Sequence, residues 1–403
     1  MVHLSIRLEP VEVVTFSEAR SAVLSRVRAT REVETLPLNE AVGRVLAQDV
    51  LADRAYPPMA RSIRDGFAVR SADLPGTLRR IGEVRAGERF SGAVAPGECV
   101  EIMTGAPMPE GADAVVMVEH CTLDGDQVTT GRRLQPGENW TSAGCDAAAG
   151  TAVLTAGTRI QFVHVAMLAT VGAASVIVFQ RPRVAILATG DEIVPITALP
   201  TGEQVRNSNS HSVAAQVIRA GGIPTILPVA KDNLADTRRL ISAGLEHDLL
   251  LLSGGVSAGK YDLVETVLAE YNAEFYFTRV KIQPGQPLVF GQARSRYFFG
   301  LPGNPASTMV TFEVIARAAV ELLGGEAKPA LPLLWGTLQD ELRIKPGLTR
   351  FLPALVEGDA VHPVPWSGSG DVPALARSNA FLVTDPDRDA YLPGEMIQVL
   401  VNR

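Results

Sequence analysis

The residue types able to do chemistry gather in three short loops built on glycine and proline. Thr189-Gly190-Asp191-Glu192 sets two adjacent carboxylates beside a glycine turn. Such acids are candidate Mg²⁺ ligands, because magnesium takes one or two carboxylates plus water and substrate phosphates; a solvated turn accounts for the same residues equally well. The second loop, Ser253-Gly254-Gly255-Val256-Ser257-Ala258-Gly259-Lys260-Tyr261-Asp262, follows four leucines and precedes a helical pattern. Glycines there let backbone N–H groups close on a phosphate, aided by the helix N-terminus. Gly254 to Lys260 also has the G-x-x-x-x-G-K spacing of a P-loop, but Tyr261 stands where a compact hydroxyl should reach the metal and no strand supplies a buried Asp partner. In the third loop, Gly300-Leu301-Pro302-Gly303-Asn304-Pro305-Ala306-Ser307, Asn304 can cap the next helix and Pro305 suits its first position. Capping leaves Pro302-Gly303 unexplained.

The elements that position these loops alternate between strand and helix. Val184 to Ala188, Ile223 to Val229, Leu249 to Leu252, Phe275 to Val280 and Tyr297 to Gly300 read as strands. Ser210 to Ala220, Leu234 to Leu245, Leu263 to Tyr271 and Ala306 to Leu323 read as helices. This alternation predicts an α/β unit with a doubly wound, mostly parallel sheet covered on both faces. Ligands of such sheets bind outside the carboxyl ends of the strands, where all three loops fall, so one shared pocket is expected. Upstream, Thr15-Phe16-Ser17-Glu18 is a capping box opening a helix. Tyr56 to Asn139 is a β-rich stretch inserted before helical text resumes at Gln161, and short strands follow Gly324-Gly325 and Pro329.

Composition narrows the functions. At ~150 residues per domain, 403 residues imply more than one domain. Lysine and arginine number 37 against 44 acids, a net charge of −7, and no basic run exceeds a pair, so nucleic acid is not an expected partner. A bound anion needs local donors. Three cysteines without C-x-x-C spacing, and no leader in the first ten residues, fit a cytoplasmic chain in a reducing compartment. His120 beside Cys121 has no second pair to complete a zinc tetrahedron. Phe162 to Phe179 reads as a buried helix, a turn at Gly172 and a strand rather than a membrane span.

Five stretches carry a family resemblance: Ser62-Ile63-Arg64-Asp65-Gly66-Phe67-Ala68-Val69, Ile102 to Val116 with its Thr104-Gly105-Ala106-Pro107, and the three loops above. In this order they resemble the signature of molybdopterin molybdenumtransferases, a family that includes the E domain of gephyrin. The resemblance covers essentially the whole chain. It implies an elongated multidomain subunit: a helical linker domain (1–54 and 142–178), an inserted β-rich domain (55–141), an α/β molybdopterin-binding domain (179–327) and a C-terminal β-barrel-like domain (328–403). It implies a homodimer in which the inserted domain of one chain faces the cleft of the other. The implied reaction inserts molybdenum from molybdate into adenylylated molybdopterin with release of AMP. Mg²⁺ is the implied cation, and a molybdopterin adenylyltransferase is the implied upstream enzyme.

Carried over by position, Asp65, Thr104 and Asp146 fall on the inserted-domain side of the cleft, and Glu192, Asp232 and Asp262 on the α/β side. Asp191, Glu192 and Asp262 are the implied metal ligands. Thr189, Gly190, Ser253, Gly254, Gly255, Ser257, Gly259, Pro302, Gly303, Asn304, Pro305 and Ser307 are the implied pterin-nucleotide contacts. Asp65-Gly66 also fits a plain turn and Asp232-Asn233 a helix cap. The pattern is departed from in three places. Gln283-Pro284-Gly285-Gln286-Pro287 stands where many members have Lys-Pro-Gly-Lys-Pro, Lys260 replaces a common acid, and Arg64 stands where Met or Lys is usual. Glutamine donates hydrogen bonds but carries no charge, so Arg64, Lys260 and Lys281 become candidates for a relocated cation. Two other functions stay open at this level, a molybdopterin adenylyltransferase and a non-catalytic molybdopterin-binding scaffold.

Overall fold

The computed structural model describes residues 13–30, 32–255 and 263–402. A six-stranded sheet carries the loops, in the order Ile223–Ile226, Arg183–Ala188, Leu249–Ser253, Arg296–Leu301, Val289–Ala293, Glu274–Phe277. The first four strands are mutually parallel. Leu249–Ser253 is buried along its whole length, as a central strand covered on both faces must be. Val289–Ala293 forms an antiparallel hairpin with Arg296–Leu301, a strand that the periodicity does not announce. Gly291 interrupts its apolar run because a Cβ there would lie 2.4 Å from the Glu274 carbonyl. The stretch expected as one strand, Phe275 to Val280, divides into Glu274–Phe277 and Arg279–Val280, and the latter pairs in parallel with Val13–Val14.

The helix expected over Ala306 to Leu323 is interrupted. Pro305–Thr311 and Arg317–Leu323 are α-helical, and between them Phe312–Ala316 makes a π turn. That turn carries the buried Glu313, which receives hydrogen bonds from Arg317 and from Gln216 Nε2. The helix Phe16–Arg26 opens with both bonds of the Thr15/Glu18 capping box. Its Ala19 and Val23, with Val27 beyond its end, pack among core residues of the α/β unit, and Arg20 donates to the carbonyls of Val314 and Pro329.

Val33–Pro37 pairs with Ser175–Phe179, and Val50–Leu51 with Ala152–Leu154, so segments on either side of the β-rich stretch close on each other around Leu46, Ile160, Leu168 and Val178. Between them stands a six-stranded sheet that includes Gly66–Val69, Gly76–Val84 and Glu98–Ile102. The expected helix, turn and strand appear as Phe162–Thr170, Gly172 at φ +75° and Ser175–Phe179. The helix is not buried as expected: only its Leu168 is buried and Phe162 is 80% exposed, because one face alone packs on the core around Leu46 and Ile160. Among the described residues no helix is long and apolar enough to cross a membrane. At the C-terminal end Leu333–Leu338, Thr349–Glu357, Ala360–Pro363, Ala380–Thr384 and Met396–Val401 close into a five-stranded barrel. A short parallel ladder, Ile282–Gln283 on Thr349–Arg350, joins it to the α/β unit.

Candidate functional site

The three loops leave the carboxyl ends of neighbouring strands and converge. A Cβ built on Gly303 would lie 3.7 Å from Gly254 Cα, and one on Gly255 would lie 2.7 Å from Thr189 Oγ1. Gly254 and Gly255 adopt φ of +88° and +65°, so the second loop needs glycine for its backbone as well as for space. Between the loops lies a pocket of about 440 Å³. Thr189 and Glu192 of the first loop, Ser253 and Gly254 of the second, and Gly303, Asn304 and Pro305 of the third stand in its wall. Gly190, Gly255 and Pro302 belong to the same loops behind that wall. Ser307 is buried in the first turn of its helix, where its carbonyl accepts the Thr311 hydroxyl at 2.7 Å. Ser257, Gly259 and Asp262 lie outside the described residues, as do Lys260 and the end of the P-loop-like run.

The opposite wall comes from residues that the sequence reading passed over. Arg206, Asn207 and Asn209 lead into and begin the helix Ser208–Arg219. Asn207 accepts the Ser210 N–H at 3.1 Å as its cap. Asn209 Nδ2 donates to Ser253 Oγ at 3.0 Å and to the Gly303 carbonyl at 2.7 Å, so one amide ties two of the loops together. The signal was available: Asn-Ser-Asn before a helical pattern marks a helix start, here at the same sheet edge.

Of the acids, Glu192 lines the pocket, and Asp191 precedes it in the same loop. Asp191 and Asp232 are linked reciprocally: the Asp191 N–H donates to Asp232 Oδ2 at 3.4 Å and the Asp232 N–H to Asp191 Oδ1 at 3.3 Å. The cap on Leu234–Gly244 is Asn233 rather than Asp232. Glu192 folds over Gly190, where an added Cβ would lie 2.5 Å from Glu192 Oε2. Among the described residues no three His, Cys, Asp or Glu side chains gather tightly enough to hold a metal by themselves. Exposed carboxylate oxygens on Asp191 and Glu192 are hard donors of the kind Mg²⁺ takes together with water and phosphate oxygens, so the donor set fits that ion.

Next to Gln283 stands a cation that sequence proximity did not reveal. Arg350 is buried at 7% exposure, donates from Nε to Gln283 Oε1 at 2.8 Å and from Nη1 to the Leu348 carbonyl at 3.2 Å. No carboxylate forms an ion pair with it among the described residues, and burial pulls its pKa below the ordinary arginine value. Lys281 and Arg64 are exposed. In the inserted sheet, the Thr104 N–H donates to Asp65 Oδ1 at 2.6 Å. That bond, with a further one from the Thr104 side chain, holds the Asp65 carboxyl below the usual carboxylate range. Asp146 pairs with Arg61 at 3.5 Å, on the short strand Arg61–Ser62 that leads to Asp65. Among the described residues no hydrogen bond or ion pair joins Asp65, Thr104 or Asp146 to the pocket.

A mostly parallel sheet with a donor-lined pocket at its carboxyl edge, fused to a closed barrel and to a β-rich insertion, defines a multidomain small-molecule-binding enzyme class. Residues 14–172 match the family model for the MoeA N-terminal region (domain I and II), residues 185–322 that of a probable molybdopterin binding domain, and residues 336–401 that of the MoeA C-terminal region (domain IV). The molybdopterin molybdenumtransferase of Bacillus subtilis is 34% identical over 388 residues, covering 92% of this chain and 90% of that protein. Its namesake in Haemophilus influenzae is 32% identical over 396 residues, 96% of this chain and 98% of that one. The crystal structure of the molybdopterin biosynthesis moeA protein from Pyrococcus horikoshii superposes with a TM-score of 0.81 at 27% identity, covering 97% of this chain and 100% of that one. The chain belongs to the molybdopterin molybdenumtransferase family.

Proposed function

We propose that this chain inserts molybdenum from molybdate into adenylylated molybdopterin and releases AMP. The observation that carries the reading is the convergence of the three loops on one pocket, with family matches along nearly all of the chain. Its chemistry asks for donors to a phosphate, oxygens for a cation and a positive charge for an oxyanion. The Gly255 backbone N–H is the donor for the first need, since that of Gly254 is turned to the Leu301 carbonyl at 3.4 Å. Asp191 and Glu192, with Asp262, would hold Mg²⁺, which supplies charge neutralisation at the phosphates. Arg350 supplies the positive charge beside Gln283 where the motif lysines are absent, in place of the relocated cations sought at Arg64, Lys260 and Lys281. Asn209 holds the second and third loops in register around the substrate.

Asp65, Thr104 and Asp146 complete the reading only if another copy brings them to the pocket, which supports a homodimer with the insertion of one chain facing the cleft of its partner. The division into 1–54 with 142–178, 55–141, 179–327 and 328–403 belongs to the same proposal, as do a cytoplasmic location and a molybdopterin adenylyltransferase upstream. The test is incubation with adenylylated molybdopterin and molybdate. Release of AMP is the expected result. Consumption of ATP with release of pyrophosphate would instead identify an adenylyltransferase, and tight pterin binding without turnover a scaffold.

A further inference from the structure

We propose that Asn304 is a positioning residue that seats the C-terminal barrel on the rim of the α/β pocket. The proposal rests on the functional reading above and assigns one of its motif residues a task beyond substrate contact. Asn304 stands at the cap position of Pro305–Thr311 with φ −70° and ψ 130°, yet no helix N–H bonds to its side chain. The amide is turned away from the helix, and its Nδ2 donates to Ser369 Oγ at 2.8 Å. The Ala306 N–H, which a cap at this position would serve, donates instead to the Ser369 carbonyl at 2.9 Å. One residue of the C-terminal region thus takes over the capping duty, and the side chain best placed for that duty becomes the connection between two units.

Both sides of this connection are braced. On the barrel side, Asp371 accepts the Ser367 N–H at 2.9 Å and its hydroxyl at 3.1 Å, and caps Val372–Arg377 through the Ala374 N–H at 3.0 Å. On the pocket side, the Gly303 carbonyl is held by Asn209 and the Pro302 carbonyl by the Thr308 hydroxyl at 2.5 Å. The ladder of Ile282–Gln283 on Thr349–Arg350 is a second, separate joint. Cutting the Asn304–Ser369 side-chain bond therefore leaves the barrel attached through that ladder, the Ala306–Ser369 backbone bond and the core that Phe351, Phe381 and Leu400 share with the α/β unit, and loosens only the 366–371 segment at the pocket rim.

Asn304→Ser separates the two roles, because serine caps as well as asparagine but is too short to reach Ser369. The expected result is a kcat for AMP release lowered about tenfold, as for a displaced reacting group, with the melting temperature held near wild type, and in Ser369→Ala, whose changed residue does not line the pocket, the Kd for AMP by calorimetry also held near wild type. Hydrogen exchange across residues 366–371 should quicken about tenfold. Ser369→Ala should do the same, and the double variant should be no worse than either single one. The proposal is overturned if the two losses multiply, or if Asn304→Ser weakens AMP binding while exchange in residues 366–371 stays unchanged. If wild type releases no AMP at all, the functional reading fails, and the exchange and calorimetry results still decide the seat.

Discussion

Replacing Arg350 tests the oxyanion side of the reading most directly. Its guanidinium is buried, holds Gln283 Oε1 and the Leu348 carbonyl, and has no acidic partner among the described residues. A hydrogen bond to a charged group contributes about 1.5–3 kcal/mol, which at about 1.4 kcal/mol per decade is roughly 10- to 150-fold in affinity. Arg350→Gln should raise the molybdate KM by about that factor, while Arg350→Lys, which keeps the charge and loses the planar fork, should fall between. Stability should move the other way. No buried carboxylate is left unpaired by the change, so without oxyanion the variant should unfold at an unchanged or higher urea concentration. Molybdate at 100 times its Kd should add about 2.7 kcal/mol to wild type and far less to the variant. Gln283→Lys should help little, because it removes the acceptor that Arg350 uses and places a like charge beside it. A molybdate titration of AMP release with unchanged KM in Arg350→Gln, or undiminished stabilisation by molybdate, would refute the assignment.

Gly285 has φ +104°, and an added Cβ would lie 2.2 Å from Thr311 Cγ2; Gly285→Ala should therefore cost about 2–4 kcal/mol in urea unfolding through overpacking and backbone strain. Gly190→Ala drives a methyl into the Glu192 carboxylate, and the expected outcome is a higher Mg²⁺ requirement for AMP release with little change in molybdate KM. Because Thr104 depresses the Asp65 pKa, the contribution of the ionised carboxylate is present above the unfolded value and lost only as pH falls through the lower folded one. The Thr104 amide resonance should accordingly titrate with a midpoint below ~3.9, and one at or above it would contradict the bond.

Local chemistry was legible in the sequence, and distant partners were not. The capping box at Thr15, the turn at Gly172 and the three glycine loops depend on neighbours a few residues away, so their spacing carries them. Asn304 also reads as a cap from its neighbours, and the structure diverts it because Ser369, 65 positions on, offers a stronger claim. Arg350 escaped for the same reason, being 67 positions from Gln283. The strand Val289–Ala293 was hidden by Gly291, whose missing side chain weakens the apolar signal that its close packing requires. The π turn left no periodic mark, since its five residues are all buried and apolar except Glu313.

The first helix has a bearing on how the chain is made. Ala19, Val23 and Val27 find their core among residues that include Ile315, Ala319 and Leu323, and Arg20 bonds to a carbonyl 309 positions away. A ribosome adding about 5–20 residues per second needs roughly 15–60 s to supply those partners. During that interval the apolar face of Phe16–Arg26 has nothing native to cover it, while the insertion sheet can close from strands already synthesised. Translation speed and chaperone occupancy over the intervening stretch therefore bear on yield, and a nascent chain arrested before Pro305 should bind a hydrophobic-surface chaperone through its first helix.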